Sequence, residues 1–320
     1  MSIAVIGAGA FGAALAITWA QSGQDVTLWG RDADVMNAMQ TNRKVPRLPD
    51  ASLPAKITCS ANLNTTFAQD TIALALPAQA MRPFLETHNQ ALSGKSLIAC
   101  CKGIDLTTMT GPVSTIRQIV PNANAAMLTG PSFAADIAKG LPTALTLAIS
   151  DDAIGTTLQT QLSTPTLRIY RATDTIGAEL GGALKNVMAI ACGVAIGAGL
   201  GDSARAALMT RGFSEMLTLA DKLGAERATL GGLSGFGDLV LTCTSTQSRN
   251  FRYGQSLARE TGFDKTTTVE GAATAKSVTK LAKSLELDLP ICTVVADLID
   301  AKTDVSTALE ALMARPLKEE

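Results

Sequence analysis

A chain of 320 residues is too long for one ordinary core and suits two domains of roughly 150 residues each. Its composition, 47% apolar and 17% charged, can fill those cores and excludes a disordered chain. The formal net charge of -1, with no basic stripe, argues against nucleic acid as a partner.

The chain opens on the apolar run Ile3–Ile6, a predicted strand with no basic stretch before it, so no secretory leader is expected. Further predicted strands are Asp25–Trp29, a short Ile57–Cys59, Thr71–Leu76, Leu97–Cys101, Ala125–Thr129, Thr143–Ala148 and Leu167–Tyr170. Helical patterns such as Phe11–Ser22 and Ala33–Thr41 lie between several of them. Strands alternating with helices imply βαβ crossovers and a mostly parallel sheet, and runs apolar on both faces imply a sheet covered on both sides. The proline-rich stretch Pro46–Pro54 reads as an irregular surface loop.

After about Thr173 helical patterns dominate, at Gly177–Gly193, Ser203–Leu223, Arg249–Thr261, Gly271–Leu285 and Ile291–Thr303. The uncharged stretch Val187–Leu200 is shorter than the roughly 20 apolar residues of a transmembrane segment and reads as a buried helix. Cys59, Cys100, Cys101, Cys192, Cys243 and Cys292 lack Cys-x-x-Cys spacing and read as reduced, buried hydrophobes of a cytoplasmic protein. The one histidine, His88, has a polar surface context, and His and Cys do not cluster, so no metal site is expected.

Gly7-Ala8-Gly9-Ala10-Phe11-Gly12 is a G-x-G-x-x-G that follows a strand directly and opens a helix. In that context Gly7 permits the tight turn, Gly9 lets the backbone approach a pyrophosphate, and Gly12 lets helix and strand pack closely. The pyrophosphate would sit at the helix N-terminus, where free N–H groups favour an anion. The expected fold is therefore α/β: a Rossmann-type, mostly parallel sheet domain over 1–175, then an all-helical substrate and catalytic domain over 176–320. Past the second strand, Arg31 is placed to pair with a 2′-phosphate and Asp32 follows one residue later. This favours NADP(H), with NAD(H) also accepted, although Arg31 as a solvated loop residue is the plainer alternative.

Three patches bear on the substrate. Gly130-Pro131-Ser132-Phe133-Ala134 falls at the carboxyl edge of the sheet, where ligands bind in such folds. Lys185 and Asn186 stand in an otherwise apolar helix. A buried lysine suits proton transfer, whereas a lysine at a helix end would snorkel to the surface. Ser248, Arg249 and Asn250 offer hydroxyl, guanidinium and amide donors at a helix start, suited to phosphate or carboxylate, with simple capping by Ser248 as the alternative.

These segments, with Ala204-Arg205-Ala206-Ala207-Leu208, Arg211-Gly212, Gly237-Asp238-Leu239 and Val269-Glu270-Gly271, resemble the bacterial NAD(P)-dependent glycerol-3-phosphate dehydrogenases nearly end to end. The resemblance implies reversible hydride transfer between NAD(P)H and dihydroxyacetone phosphate, giving sn-glycerol 3-phosphate for glycerophospholipid synthesis, and it admits a homodimer. It implies Lys185 as proton donor and Lys102 as the second active-site lysine. It also implies Gly130, Ser132, Asp238, Ser248, Arg249 and Asn250 as substrate contacts. Phe11, Arg31, Lys102, Ala134, Arg249 and Glu270 would meet the cofactor. Ala195-Ile196 stands where many members have Ser-Asp, and Arg47 where an aromatic residue is common. The alternatives are a hydroxyacid or ketopantoate reductase, which would leave the Ser248-Arg249-Asn250 donors less well explained, and a non-catalytic dinucleotide sensor, which would need neither lysine.

Overall fold

The computed structural model describes residues 2–264 and 267–313. The chain divides into two compact units, one of Met1–Lys102 with Thr110–Glu179, the other of Gly103–Met109 with Leu180–Glu320. The expected division at 175/176 differs from this in two places. The second unit starts at Leu180, and it takes in 103–109 from the first half. Packing is the reason: Ile104 is buried among the second unit's apolar residues, and its carbonyl accepts from Ser277 Oγ at 3.4 Å.

The first unit holds β1 (Ser2–Ile6), β2 (Asp25–Trp29), β3 (Lys44–Val45), β4 (Leu48–Ser52), β5 (Ile57–Ser60), β6 (Thr71–Leu74), β7 (Ser96–Ala99), β8 (Asn124–Thr129), β9 (Thr143–Ala148) and β10 (Leu167–Ala172). Eight of them form one sheet in the order β10-β9-β8-β7-β6-β1-β2-β5. Neighbours are parallel except β8 and β9. The period of two decides the layers: Ile3 and Val5 join a core with Leu15 and Leu28, while Ala4 and Ile6 join another with Ile72, Leu85 and Ile116. The two edge strands alternate, β10 with Leu167 and Ile169 buried and Arg168 and Tyr170 exposed, and β5 with Ile57 and Cys59 buried and Thr58 exposed.

The proline-rich stretch is more regular than expected. It contains β4, which pairs antiparallel with β3. Val45, Leu48, Ala51 and Leu53 are buried, and the Arg43 side chain donates to the carbonyls of Leu53 (3.2 Å), Ile57 (2.9 Å) and Pro54. A two-stranded ribbon leaves unpaired positions where Pro49 can sit, so proline does not break it.

The second unit is helical: the long helix Thr175–Gly197 enters it at Leu180 and is followed by Gly201–Leu223, Arg227–Gly231, Asp238–Thr244, Arg249–Ala258, Glu270–Ser284, Pro290–Ile299 and Val305–Met313. By length and composition the helix Thr175–Gly197 could cross a membrane, yet 89% of its apolar window is buried inside the protein. Gly193 lies against the Phe251 carbonyl and Gly254 against the Ile190 carbonyl, so two helices touch backbone to backbone where any side chain would part them.

The helix Pro290–Ile299 has no side-chain cap of its own. Glu215, from the helix Gly201–Leu223, accepts instead from the N–H groups of Ile291 (2.7 Å) and Cys292 (3.2 Å). Burial pushes its carboxyl up to about 7, against the pull of those N–H groups, from an ordinary 4.5. In the first unit Glu179 does the same for the helix Pro112–Ile119 through Val113 and Ser114, and burial lifts it to about 7 as well. A carboxyl raised on folding holds its proton more tightly in the folded state. Its contribution to stability is therefore full below about pH 4.5 and is lost as pH rises through about 7. Denaturant unfolding of wild type and Glu215→Gln from pH 5 to 8 should show the wild type losing stability relative to the variant. The slope should be at most about 1.4 kcal/mol per pH unit. A difference that does not change with pH would remove Glu215 from the titration.

Candidate active site

In the first unit the strand order reverses between β1 and β6, the position where α/β sheets open a crevice for ligands. Gly7 follows β1 with φ of +119°, a conformation that favours glycine, and a Cβ there would collide with the backbone of Ala75 just past β6. A Cβ at Gly12 would strike the Gly7 carbonyl. At Gly9 a Cβ would meet nothing within 4 Å, so the backbone lies open where the helix Ala10–Gln21 begins. Phe11 is half-buried beside it. An open glycine at an N-terminus with no acidic residue in its first turn fits a pyrophosphate.

Beyond β2, Arg31 is exposed. Asp32 is engaged as the cap of the helix Ala33–Asn42, accepting from the Val35 N–H at 3.0 Å. Lys102 is buried and its Nζ donates to the Gly130 carbonyl at 2.9 Å. Ser132 Oγ donates to the same carbonyl at 3.2 Å. Gly130 turns the chain at φ of +134° at the end of β8, and Ala134 starts the short helix Ala134–Ala138. Lys102, Gly130 and Ser132 are thus one hydrogen-bonded group. Beside it, burial pushes the Cys100 thiol up to about 12 despite the nearby Lys102 ammonium, so Cys100 is no nucleophile.

In the second unit Lys185 does not snorkel. Its side chain is 9% exposed, and its Nζ lies 2.9 Å from Asp238 Oδ1 and 2.7 Å from Thr242 Oγ1. The Thr242 hydroxyl in turn lies 3.2 Å from Asp238 Oδ1. Asp238 is fully buried and opens the helix Asp238–Thr244, straight after a π-helical turn at Leu233–Gly237 whose Gly237 N–H reaches back to the Gly232 carbonyl. Sequence reasoning missed Thr242. Its spacing of four from Asp238, one helical turn, is the signal that could have found it.

Ser248 Oγ caps the helix Arg249–Ala258 by accepting from the Phe251 N–H at 3.2 Å, so the capping alternative holds for Ser248. Arg249 is exposed, and Asn250 is buried. Asn250 Nδ2 donates to Asn186 Oδ1 at 2.8 Å, and its Oδ1 accepts from the Gly271 N–H at 3.0 Å. Glu270, half-buried, opens the helix Glu270–Ser284. Lys185, Asp238 and Thr242 form one cluster in this unit, and Asn186, Asn250 and Gly271 another.

Two family models match, described as NAD-dependent glycerol-3-phosphate dehydrogenase N-terminus over 2–154 and C-terminus over 174–310. The chain is 56% identical to glycerol-3-phosphate dehydrogenase, NAD(P)+, of Ruegeria sp. (strain TM1040), over the whole of both chains. It is equally similar, at 56%, to the protein of that name from Paracoccus denitrificans, again over the whole of both. The chain belongs to the NAD-dependent glycerol-3-phosphate dehydrogenase family. The crystal structure of glycerol-3-phosphate dehydrogenase from Coxiella burnetii superposes with a TM-score of 0.93 at 33% identity, covering 98% of this chain and 99% of that one. A ketopantoate reductase from Ralstonia eutropha, at TM-score 0.62 and 14% identity over 97% of this chain and all of that one, shares the fold alone.

In this family member the buried ion pair can be tested directly. Removing one partner strands the other charge away from water. Asp238→Asn should therefore lower the unfolding free energy by about 3–5 kcal/mol. The double variant Lys185→Met, Asp238→Leu should recover most of that loss in urea unfolding. A double variant as unstable as Asp238→Asn would show that the charge pair is not what the site depends on.

Proposed function

We propose that this chain catalyses the reversible reduction of dihydroxyacetone phosphate to sn-glycerol 3-phosphate with NAD(P)H, supplying glycerophospholipid synthesis. The observation that carries the reading is the buried Lys185 ammonium, bonded to Asp238 and Thr242 and belonging to a chain of this family. When bound, the reduced nicotinamide supplies the hydride. Lys185 donates a proton from Nζ to the substrate oxygen as that oxygen gains negative charge, and takes it back in the reverse direction. Asp238 stabilises the ammonium form before the transfer and favours reprotonation of the neutral amine after it, and Thr242 fixes the direction of one Nζ hydrogen. Lys102, oriented by the Gly130 carbonyl, adds positive charge for the polarised carbonyl. Ser132, with Gly130, forms the substrate-facing turn. Arg249 and Asn250, at a helix N-terminus without acidic residues, take the phosphate, with Ser248 holding that terminus in shape. These donors favour a phosphorylated substrate over the unphosphorylated acid of the reductases that share the fold.

Gly7, Gly9, Phe11 and Gly12 bind the dinucleotide with Ala134, Arg249 and Glu270. NADP(H) is preferred because Arg31 is exposed past β2 while Asp32 is committed to its helix. Six free, buried cysteines support a reducing, cytoplasmic setting. Size-exclusion chromatography tests whether the chain forms the homodimer that the family resemblance admits. Absorbance at the reduced-cofactor band with dihydroxyacetone phosphate should show oxidation of NADPH faster than of NADH. Lys185→Ala should lose turnover by about 10²–10⁴-fold while retaining NADPH affinity, and Arg249→Ala should raise the KM for dihydroxyacetone phosphate about 10-fold or more. Near-original turnover in Lys185→Ala would sink the proton-transfer role, and an unchanged KM in Arg249→Ala would sink the phosphate grip.

A further inference from the structure

Asn186 follows the ammonium-bearing Lys185 and is buried, yet nothing in the chemistry above uses it. Its contacts form a continuous polar chain. Asn186 Nδ2 donates to the Gly182 carbonyl at 3.4 Å, Asn250 Nδ2 donates to Asn186 Oδ1 at 2.8 Å, and the Gly271 N–H donates to Asn250 Oδ1 at 3.0 Å. Both ends are backbone groups whose roles cannot change: a carbonyl only accepts and an N–H only donates. The direction of the whole chain is therefore set. If the Asn250 carboxamide flipped, its nitrogen would face the Gly271 N–H and its oxygen would face Asn186 Oδ1, donor against donor and acceptor against acceptor. The approach is also close. A Cβ at Gly271 would lie 2.6 Å from the Asn186 carbonyl oxygen and 2.8 Å from Asn250 Oδ1, so only glycine lets this N–H reach its acceptor.

We propose that Asn186 is a positioning residue that sets specificity for a phosphorylated substrate, by holding Asn250 in the one amide orientation that offers a phosphate an N–H. The proposal rests on the reading of the site given above. A primary amide nitrogen carries two hydrogens, and Asn186 takes one. The second is a donor beside Arg249, at the N-terminus of the same helix. With the amide reversed, the group offered there would be a carbonyl oxygen, which repels a phosphoryl oxygen. Asn186, together with the Gly271 N–H, thus keeps a donor at one wall of the phosphate site without touching the phosphate. A single stretch of helix then delivers the proton donor, Lys185, and the residue that orients the anion donor.

The test compares dihydroxyacetone phosphate with unphosphorylated dihydroxyacetone as substrates of wild type, Asn186→Ala and Asn186→Leu. Leucine preserves the volume if alanine destabilises the helix. In the variants kcat/KM for the phosphorylated substrate should fall about 10-fold or more, mostly through KM, in line with the loss of one charge-assisted hydrogen bond. The value for dihydroxyacetone and the KM for NADPH should change less than about 3-fold. Equal losses for the two substrates would reduce Asn186 to a structural role and overturn the proposal, as would no loss for either. Wild-type enzyme that does not prefer the phosphorylated substrate would instead overturn the functional reading on which the proposal rests.

Discussion

An ammonium carried into the middle of an apolar helix loses its hydration, and it persists there only if a carboxylate and further hydrogen bonds replace the water. Much of the second unit's local architecture follows from meeting Lys185. The residue that meets it, Asp238, begins a helix directly after a π-helical turn, which fixes where its carboxylate sits. The π-helical turn ahead of Asp238 comes so near the lysine helix that a Cβ at Gly181 would strike the backbone of Ser234 and Gly235. Thr242 completes the shell from one turn further along. A substitution that parted these two helices would leave a charge in a dry core, a far larger penalty than a lost methyl contact.

Helix N-termini are used in two opposite ways. Those at Ala33, Pro112, Asp152 and Pro290 are satisfied by carboxylates of Asp32, Glu179, Asp151 and Glu215. Those at Ala10 and Arg249 have no acidic residue in the first turn. Among these six helices, the four ends neutralised from within the protein are assigned no ligand, and the two assigned to phosphate groups keep their positive potential for one.

Legibility in the sequence tracked the range of the interaction. The glycine turn, the parallel sheet and the odd lysine in an apolar helix are local patterns and could be read directly. The partner of Lys185 could not be paired with it by pattern, because Thr242 lies 57 positions away and only packing unites them. The ribbon of β3 and β4 was hidden because its prolines read as loop chemistry while its buried residues, Val45, Leu48 and Ala51, are sparse. The Glu179 and Glu215 caps were likewise invisible, since a cap is sought next to its helix and these arrive from 66 and 76 positions off. Ser248 shows the converse: its capping was legible, and the residue that orients Asn250 was not.

The segment 103–109 bears on how genes of this kind can recombine. It is encoded in the first half of the chain, yet Ile104 is buried in the core of the second unit. A fragment beginning at Leu180 would lack a fully packed aliphatic side chain, a defect of the kind that costs about 2–5 kcal/mol. A single crossover between two relatives near 175 would join one parent's Ile104 to the other parent's cavity. The second unit is therefore not a portable cassette: a viable exchange has to move two separate stretches of sequence together, and inheritance ties the halves more tightly than their separate cores suggest.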